Sequence, residues 1–177
     1  LSLEFSEGIK NERELFKECI ESPQRKGLIH SFFAERAITK IPELKNGKPS
    51  ELNKIGIIGG GTMGTGISMA AMNAGFEVIM IEQNQEAIKK AYDKINSTYE
   101  RNVNLGRMTP DQKSQIMNLF TSNIDMSVLQ DRDLIIEAVF ENMDIKKEVF
   151  VKLNELCDKN CILASNTSYL DVNEIAK

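Results

Sequence analysis

The 177-residue sequence has no tryptophan, one histidine, three cysteines and four prolines, and no apolar run in it approaches the roughly 18 residues of a membrane-spanning helix. No spanning helix is expected. No charged n-region followed by an apolar stretch opens the sequence, so the expectation is a soluble intracellular protein. Three cysteines, Cys19, Cys157 and Cys161, form an odd set in a chain long enough to bury its own core, which argues against a disulfide framework. Cys157 and Cys161 are spaced like a metal pair, but no further Cys or His lies near them, and all three are read as structural thiols. The one histidine, His30, has Ile29 and Ser31 beside it and no carboxylate to orient it, so it is read as structural rather than as a general base. Excess positive charge is lacking too: 22 basic against 26 acidic residues leave a net charge of −4, which argues against nucleic acid or an anionic membrane as the main partner.

What the sequence does have is a concentration of glycine. Lys54 to Ile58 is an apolar-rich run that leads into Gly-x-Gly-x-x-Gly at Gly59, Gly61 and Gly64, followed by small, helix-compatible residues from Thr65 to Ala74. That order reads as strand, tight turn, helix. Glycines suit such a turn because it must be sharp, its backbone must come close to a pyrophosphate, and the new helix must pack against the strand. The N–H groups at the helix start, around Thr62, Met63 and Gly64, then point at the phosphates with the favourable end of the helix dipole. A phosphate-binding P-loop does not fit, since no Gly-Lys-Ser/Thr follows. A second apolar run, Phe76 to Ile81, ends in Glu82, 18 residues beyond Gly64, where a dinucleotide site places the acid that holds the adenosine ribose. Glu82, Gln83 and Asn84 offer a carboxylate and no arginine, so a 2′-phosphate would be repelled and NAD is predicted over NADP.

Around this motif the chain reads in order. Residues 1–41 show helical apolar spacing, with Gly8 as a weak point and Ser22-Pro23 as N-cap and first helical residue of a second helix. Leu28, Ile29, Phe32, Phe33, Ala37 and Ile41 give that second helix an apolar face that calls for a partner. Residues 42–53 form a polar linker with two prolines, and a domain begins at 54. In the first helix after the glycines, Gly66, Ala70 and Ala74 fall four apart and predict the face that lies on the sheet. A helix from Gln85 to about Asn102 precedes a second one opened by the capping-box sequence Thr109-Pro110-Asp111-Gln112. This pair exceeds what a βαβ crossover requires and is either a wall of the substrate site or a plain helical hairpin. Further strands are expected at Thr121–Ile124, Leu134–Phe140 and Cys161–Ala164, with an amphipathic helix from Ile145 to Leu156. Glu141-Asn142 and Ser165-Asn166-Thr167-Ser168 fall at the carboxyl ends of strands, where ligands bind in open α/β sheets. The second cluster serves either nicotinamide or substrate, or is a turn capping a helix near Asp171.

Taken together, Ile58 to Ile67 (IGGGTMGTGI), Ile136 to Asn142 (IEAVFEN) and Ala164 to Ser168 (ASNTS) resemble the NAD domain of the L-3-hydroxyacyl-CoA dehydrogenases of fatty-acid β-oxidation, over residues 54–177. Glu7 to Arg13, Ser22 to Gln24 and Phe32 to Arg36 are similar to the segment that joins the enoyl-CoA hydratase and dehydrogenase halves of the multifunctional β-oxidation enzymes. The expected fold is therefore α/β, a Rossmann-type doubly wound sheet with a helical-pair insertion, preceded by a helical linker segment. The resemblance implies oxidation of a (3S)-3-hydroxyacyl-CoA to the 3-ketoacyl-CoA with NAD. It places Gly59, Gly61, Thr62, Met63 and Gly64 at the pyrophosphate, and Glu82 in place of a more usual aspartate at the ribose. Glu141, Lys146 and Asn166 fall on the cofactor's nicotinamide side, and Ser168 at the substrate's hydroxyl or keto oxygen. No metal is implied.

The family's proton acceptor is a histidine oriented by a glutamate, both after the ASNTS motif, and no histidine follows Ser168 here. The chain also opens at Leu1 without methionine. The expectation is a piece of a longer hydratase/dehydrogenase that binds NAD but turns over little alone, packs with hydratase and C-terminal dehydrogenase domains, and works in bacterial cytoplasm or peroxisome. Two rivals are an NAD-dependent β-hydroxyacid dehydrogenase acting on free acids and a non-catalytic dinucleotide-binding module.

Overall fold

Apolar runs bounded by glycine and polar turns become the strands of a parallel sheet, and the periodic segments between them become its helices. The computed structural model describes residues 4–38, 40–42, 47 and 50–177, and the chain divides into two units, Leu1–Ser50 and Glu51–Lys177.

The first unit is a pair of helices, α1 (Phe5–Glu21) and α2 (Pro23–Ile38). Ser22 joins them: its hydroxyl accepts the Arg25 N–H at 3.2 Å and donates to the Cys19 carbonyl at 2.6 Å, so one side chain closes α1 and opens α2. Gly8 does not interrupt α1; its N–H donates to the Glu4 carbonyl at 2.8 Å, and an interior glycine costs a helix only about 1 kcal/mol. The second helix ends at Ile38, short of the expected Ile41. Neither helix buries a residue, and the apolar face around Phe16, Leu28, Phe32 and Phe33 is open. Half of the predicted linker, residues 43–46 and 48–49, lies outside the described residues.

The second unit holds five parallel strands: β1 (Lys54–Ile58), β2 (Glu77–Ile81), β3 (Phe120–Asn123), β4 (Leu134–Glu137) and β5 (Ile162–Ser165). Their order, β3-β2-β1-β4-β5, is that of a doubly wound sheet whose direction of winding reverses between β1 and β4. The central strand pairs Ile58 with Ile81 on one side and with Glu137 on the other, so the carboxyl ends of three strands lie level. Asp133 fixes the opposite end of this sheet, its carboxylate accepting the Asn53 and Lys54 N–H groups at 2.8 Å each.

The helices are α3 (Thr62–Asn73), α4 (Gln85–Asn104), α5 (Pro110–Met117), α6 (Met143–Leu156) and α7 (Val172–Ile175). One core, under α3 and α4, gathers Ile57, Met72, Val78, Met80, Ile95 and Tyr99; the other, under α6, gathers Ile58, Ile81, Leu129, Ile135 and Leu153. Each fully buried aliphatic side chain among them contributes roughly 1.5–3 kcal/mol. The helical pair is built as its sequence predicts. Asn84 caps α4, and Thr109 and Gln112 form a complete capping box at α5 with Pro110 at its start. A Lys113–Glu100 ion pair joins the two, and the buried Tyr99 donates its hydroxyl to Asn73 at 3.0 Å, tying α4 to α3.

Two expectations are corrected. The face of α3 on the sheet is Gly64, Thr65, Ser68, Ala71 and Met72, while Gly66, Ala70 and Ala74 are exposed. The close approach occurs two residues earlier than the spacing of small residues implies: a Cβ on Gly64 would stand 1.7 Å from the Gly59 carbonyl oxygen, whereas one on Gly66 would meet nothing within 4 Å. The fourth strand also ends at Glu137 rather than at Phe140. Ala138 donates the last sheet hydrogen bond, to the Ile58 carbonyl, and the Val139 N–H turns back to the Glu137 carboxylate at 2.7 Å.

These two glycines separate cleanly by thermal denaturation. Gly64→Ala is expected to cost about 3 kcal/mol through overpacking against fixed backbone, and Gly66→Ala to stabilise by roughly 0.5–1 kcal/mol. Equal effects of the two would contradict the observed helix orientation.

Candidate functional site: a cleft at the reversal point of the sheet

The crevice outside the carboxyl ends of β1, β2 and β4 is where a doubly wound sheet binds ligands. Here it is a cleft of about 860 Å³. One wall is the glycine turn. Gly59 has φ +100°, and a Cβ there would press within 2.6 Å of the Ala138 carbonyl oxygen, so both geometry and space require glycine. Gly61 is the N-cap of α3 and no side chain caps it, which leaves the first-turn N–H groups without intrahelical partners. A Cβ on Gly61 would meet nothing within 4 Å, so the backbone there is bare toward the opening. Thr62 and Met63 line the same wall, and Gly64 sits beneath it, buried against Gly59.

Glu82, immediately after β2, lines the cleft beside the glycines. One carboxylate oxygen accepts the Gly60 N–H at 2.5 Å and the other accepts the Gln83 N–H at 3.0 Å. The carboxylate therefore braces the glycine turn as well as facing the opening. These residues fit an adenine dinucleotide: bare glycine backbone, unpaired N–H groups at a helix start, and an acid at the end of the next strand.

The far wall is built from β4, β5 and the start of α6. Asn142 caps α6, accepting the Asp144 and Ile145 N–H groups at 2.9 and 3.1 Å, and so fixes where Glu141 leaves the strand. One oxygen of the Glu141 carboxylate accepts the Thr167 hydroxyl at 2.5 Å and the Ser168 and Tyr169 N–H groups at 3.1 and 3.4 Å. Its other oxygen is 3.2 Å from Lys146 Nζ. The Thr167 hydroxyl first, then the Ser168 N–H and the Lys146 ammonium, hold the Glu141 carboxyl down to about 2. Glu141, Asn166 and Ser168 all line the cleft.

Lys146 is placed differently from the other predicted residues. It is 1% exposed, lies under Glu141, and donates at 2.7 Å to Glu137, which is fully buried. It does not form part of the cleft wall and reaches it through Glu141. Glu137 was not singled out in the sequence, although a carboxylate inside the apolar run Leu134 to Phe140, with a lysine nine residues on, is the pattern of a buried pair. His30 stands exposed on α2 in the first unit. Among the described residues no group of three or more His, Cys, Asp or Glu side chains is arranged to hold a metal ion, and no helix is long and apolar enough to cross a membrane.

Residues 54–177 match the family model described as 3-hydroxyacyl-CoA dehydrogenase, NAD binding domain. The chain belongs to this family. It is 36% identical over 172 residues to the peroxisomal fatty acid beta-oxidation multifunctional protein AIM1 of Arabidopsis thaliana, and 35% identical over 174 residues to the human peroxisomal bifunctional enzyme. Each alignment covers 96% of this chain and 24% of the relative, so the chain spans about a quarter of the length of the curated relatives it matches. The 3-hydroxybutyryl-CoA dehydrogenase of Escherichia coli superposes with a TM-score of 0.70 at 31% identity, over 72% of this chain and 27% of that one. The five-stranded parallel sheet is thus the NAD-binding fold of these dehydrogenases, and NAD is its cofactor.

Protonation of Glu141 gives this wall a pH dependence. A depressed carboxyl pKa contributes stability that is complete above the ordinary value of 4.5 and is lost as pH falls from there toward about 2. Protection of the Ser168 and Tyr169 amides from exchange, relative to their intrinsic rates at each pH, is expected to fall across that window in the native chain. In Glu141→Gln that protection is expected to be reduced already at neutral pH and to change little on acidification.

Proposed function

We propose that this chain is the cofactor-holding part of a dehydrogenase that oxidises (3S)-3-hydroxyacyl-CoA to 3-ketoacyl-CoA, the hydride passing to NAD. One observation carries the proposal: the glycine turn and Glu82 on one side, and Glu141, Asn166 and Ser168 on the other, open onto a single cleft at the reversal point of the sheet. NAD supplies the hydride acceptor when bound. The chain's own residues bind and orient. Gly59, Gly61 and Gly64 let backbone approach the pyrophosphate, and the N–H groups of Thr62, Met63 and Gly64 offer it donors. Glu82 offers a carboxylate to the ribose hydroxyls and repels a 2′-phosphate. Glu141 and Asn166 face the nicotinamide half, Lys146 acts through Glu141, and Ser168 hydrogen-bonds the 3-oxygen of the acyl-CoA.

Removal of the hydroxyl proton needs a positioned base. No histidine lines the cleft, so the proposal gives this chain cofactor binding and substrate orientation, not proton removal. The peroxisomal names of the relatives support a peroxisomal setting over bacterial cytoplasm, and their greater length supports packing with hydratase and further dehydrogenase domains.

Fluorescence titration tests the cofactor part directly, because a chain without tryptophan leaves nicotinamide emission undisturbed. NADH is expected to bind saturably and at least about tenfold more tightly than NADPH, a difference of ~1.4 kcal/mol. Glu82→Ala should narrow that ratio. Equal binding of NADH and NADPH by the unaltered chain would refute the role given to Glu82.

A further inference from the structure

Glu137 and Lys146 form the most deeply buried ion pair among the described residues, 0% and 1% exposed and 2.7 Å apart. A pair of this kind is poor value as a source of stability, because desolvating two charges offsets most of their attraction, and apolar residues of similar size often serve as well. Its position says more than its energy. Glu137 is the last residue of β4; besides the Val139 N–H, which one carboxylate oxygen accepts, it bonds toward the segment Ser165 to Tyr169. Its second carboxylate oxygen accepts the Ser165 hydroxyl at 2.6 Å, and its backbone carbonyl accepts the Asn166 N–H at 2.8 Å. The Ser165 hydroxyl in turn accepts the Thr167 N–H at 3.3 Å.

Lys146 continues the chain from the other side. Its ammonium bridges Glu137 and Glu141, and Glu141 grips Thr167, Ser168 and Tyr169. The segment bearing Asn166 and Ser168 is therefore tied at both ends to one buried charge cluster. No side-chain N or O atom that is buried among the described residues lacks a partner, so the cluster is fully satisfied.

We infer that Glu137 is a positioning residue for the nicotinamide half of the site: through Lys146 and Ser165 it sets where Glu141, Asn166 and Ser168 stand. This rests on the reading of the cleft as an NAD site and adds to it a residue that never touches the ligand. Replacing the Glu137 charge leaves Lys146 with Glu141 alone, which draws that carboxylate inward and off the Ser168 and Tyr169 N–H groups. The glycine turn and Glu82 belong to β1, α3 and β2 and keep their contacts.

The difference between the two halves gives the test. NADH occupies both halves of the site, whereas ADP-ribose occupies only the glycine half. Glu137→Gln, an isosteric change, and the double variant Glu137→Gln with Lys146→Met, which leaves no unpaired buried charge, are compared with the unaltered 177-residue chain by calorimetric titration and thermal denaturation. NADH affinity is expected to fall about tenfold or more in both variants, while ADP-ribose affinity stays within about twofold. An equal loss for both ligands would reduce Glu137 to a structural role, and unchanged NADH affinity in the folded double variant would overturn the inference outright. Failure of the unaltered chain to bind either ligand would instead overturn the NAD reading, and this inference with it.

Discussion

The approach of α3 to β1 across the glycine turn is the constraint on which the cleft depends. Gly64 rests on the Gly59 carbonyl with no room for a single carbon between them, and this contact sets the angle at which α3 leaves the sheet. From that angle follow the direction of the uncapped N–H groups and the bareness of Gly61 toward the opening. Glu82 then secures the turn from the neighbouring strand by accepting the Gly60 N–H. A carboxylate that lines the cleft is thus also a support of the glycine loop that forms its wall.

The second wall is held by charge rather than by close packing. Buried Glu137 and Lys146 lie behind half-exposed Glu141, and Glu141 in turn gathers the N–H groups of the segment after β5. Backbone contact therefore shapes one half of the cleft, and a satisfied polar cluster shapes the other. The two respond to different perturbations: the first to added side-chain volume, the second to loss of charge.

Much of this was legible in the sequence because the signals are local. A strand, a glycine turn and a helix within about twenty residues, followed by an acid after the next strand, specify their own geometry, as do Ser22-Pro23 and the Thr109 capping box. The orientation of α3 was misread from Gly66, Ala70 and Ala74 because small residues every four positions suit an exposed helix face as well as a packed one; the decisive glycine, Gly64, belonged to the motif itself. Lys146 and Glu137 were harder. Nothing in the spacing of a lysine near a helix start says whether its ammonium points outward or into the protein, and only the pairing of β4 with β5 brings Ser165 and Glu137 together. The apolar face of α2 was visible in the sequence, and its exposure in the helix pair follows from there being too few residues in that unit to form a core.

The sheet order also governs how the chain acquires its structure in time. β1 and β2 meet after a short crossover, but the other edge of β1 is completed only by β4, whose leading Asp133 lies 80 residues from the Asn53 N–H that it accepts. Closing so long a loop is slow and entropically costly. Until it happens, Ile55 and Ile57 present an unpaired apolar strand edge, a template for pairing with other chains. During synthesis that edge emerges roughly 80 residues ahead of its partner, some 4–16 s at ordinary translation rates. The strand at the centre of the finished sheet is thus the one most exposed to misassociation while the sheet is being made.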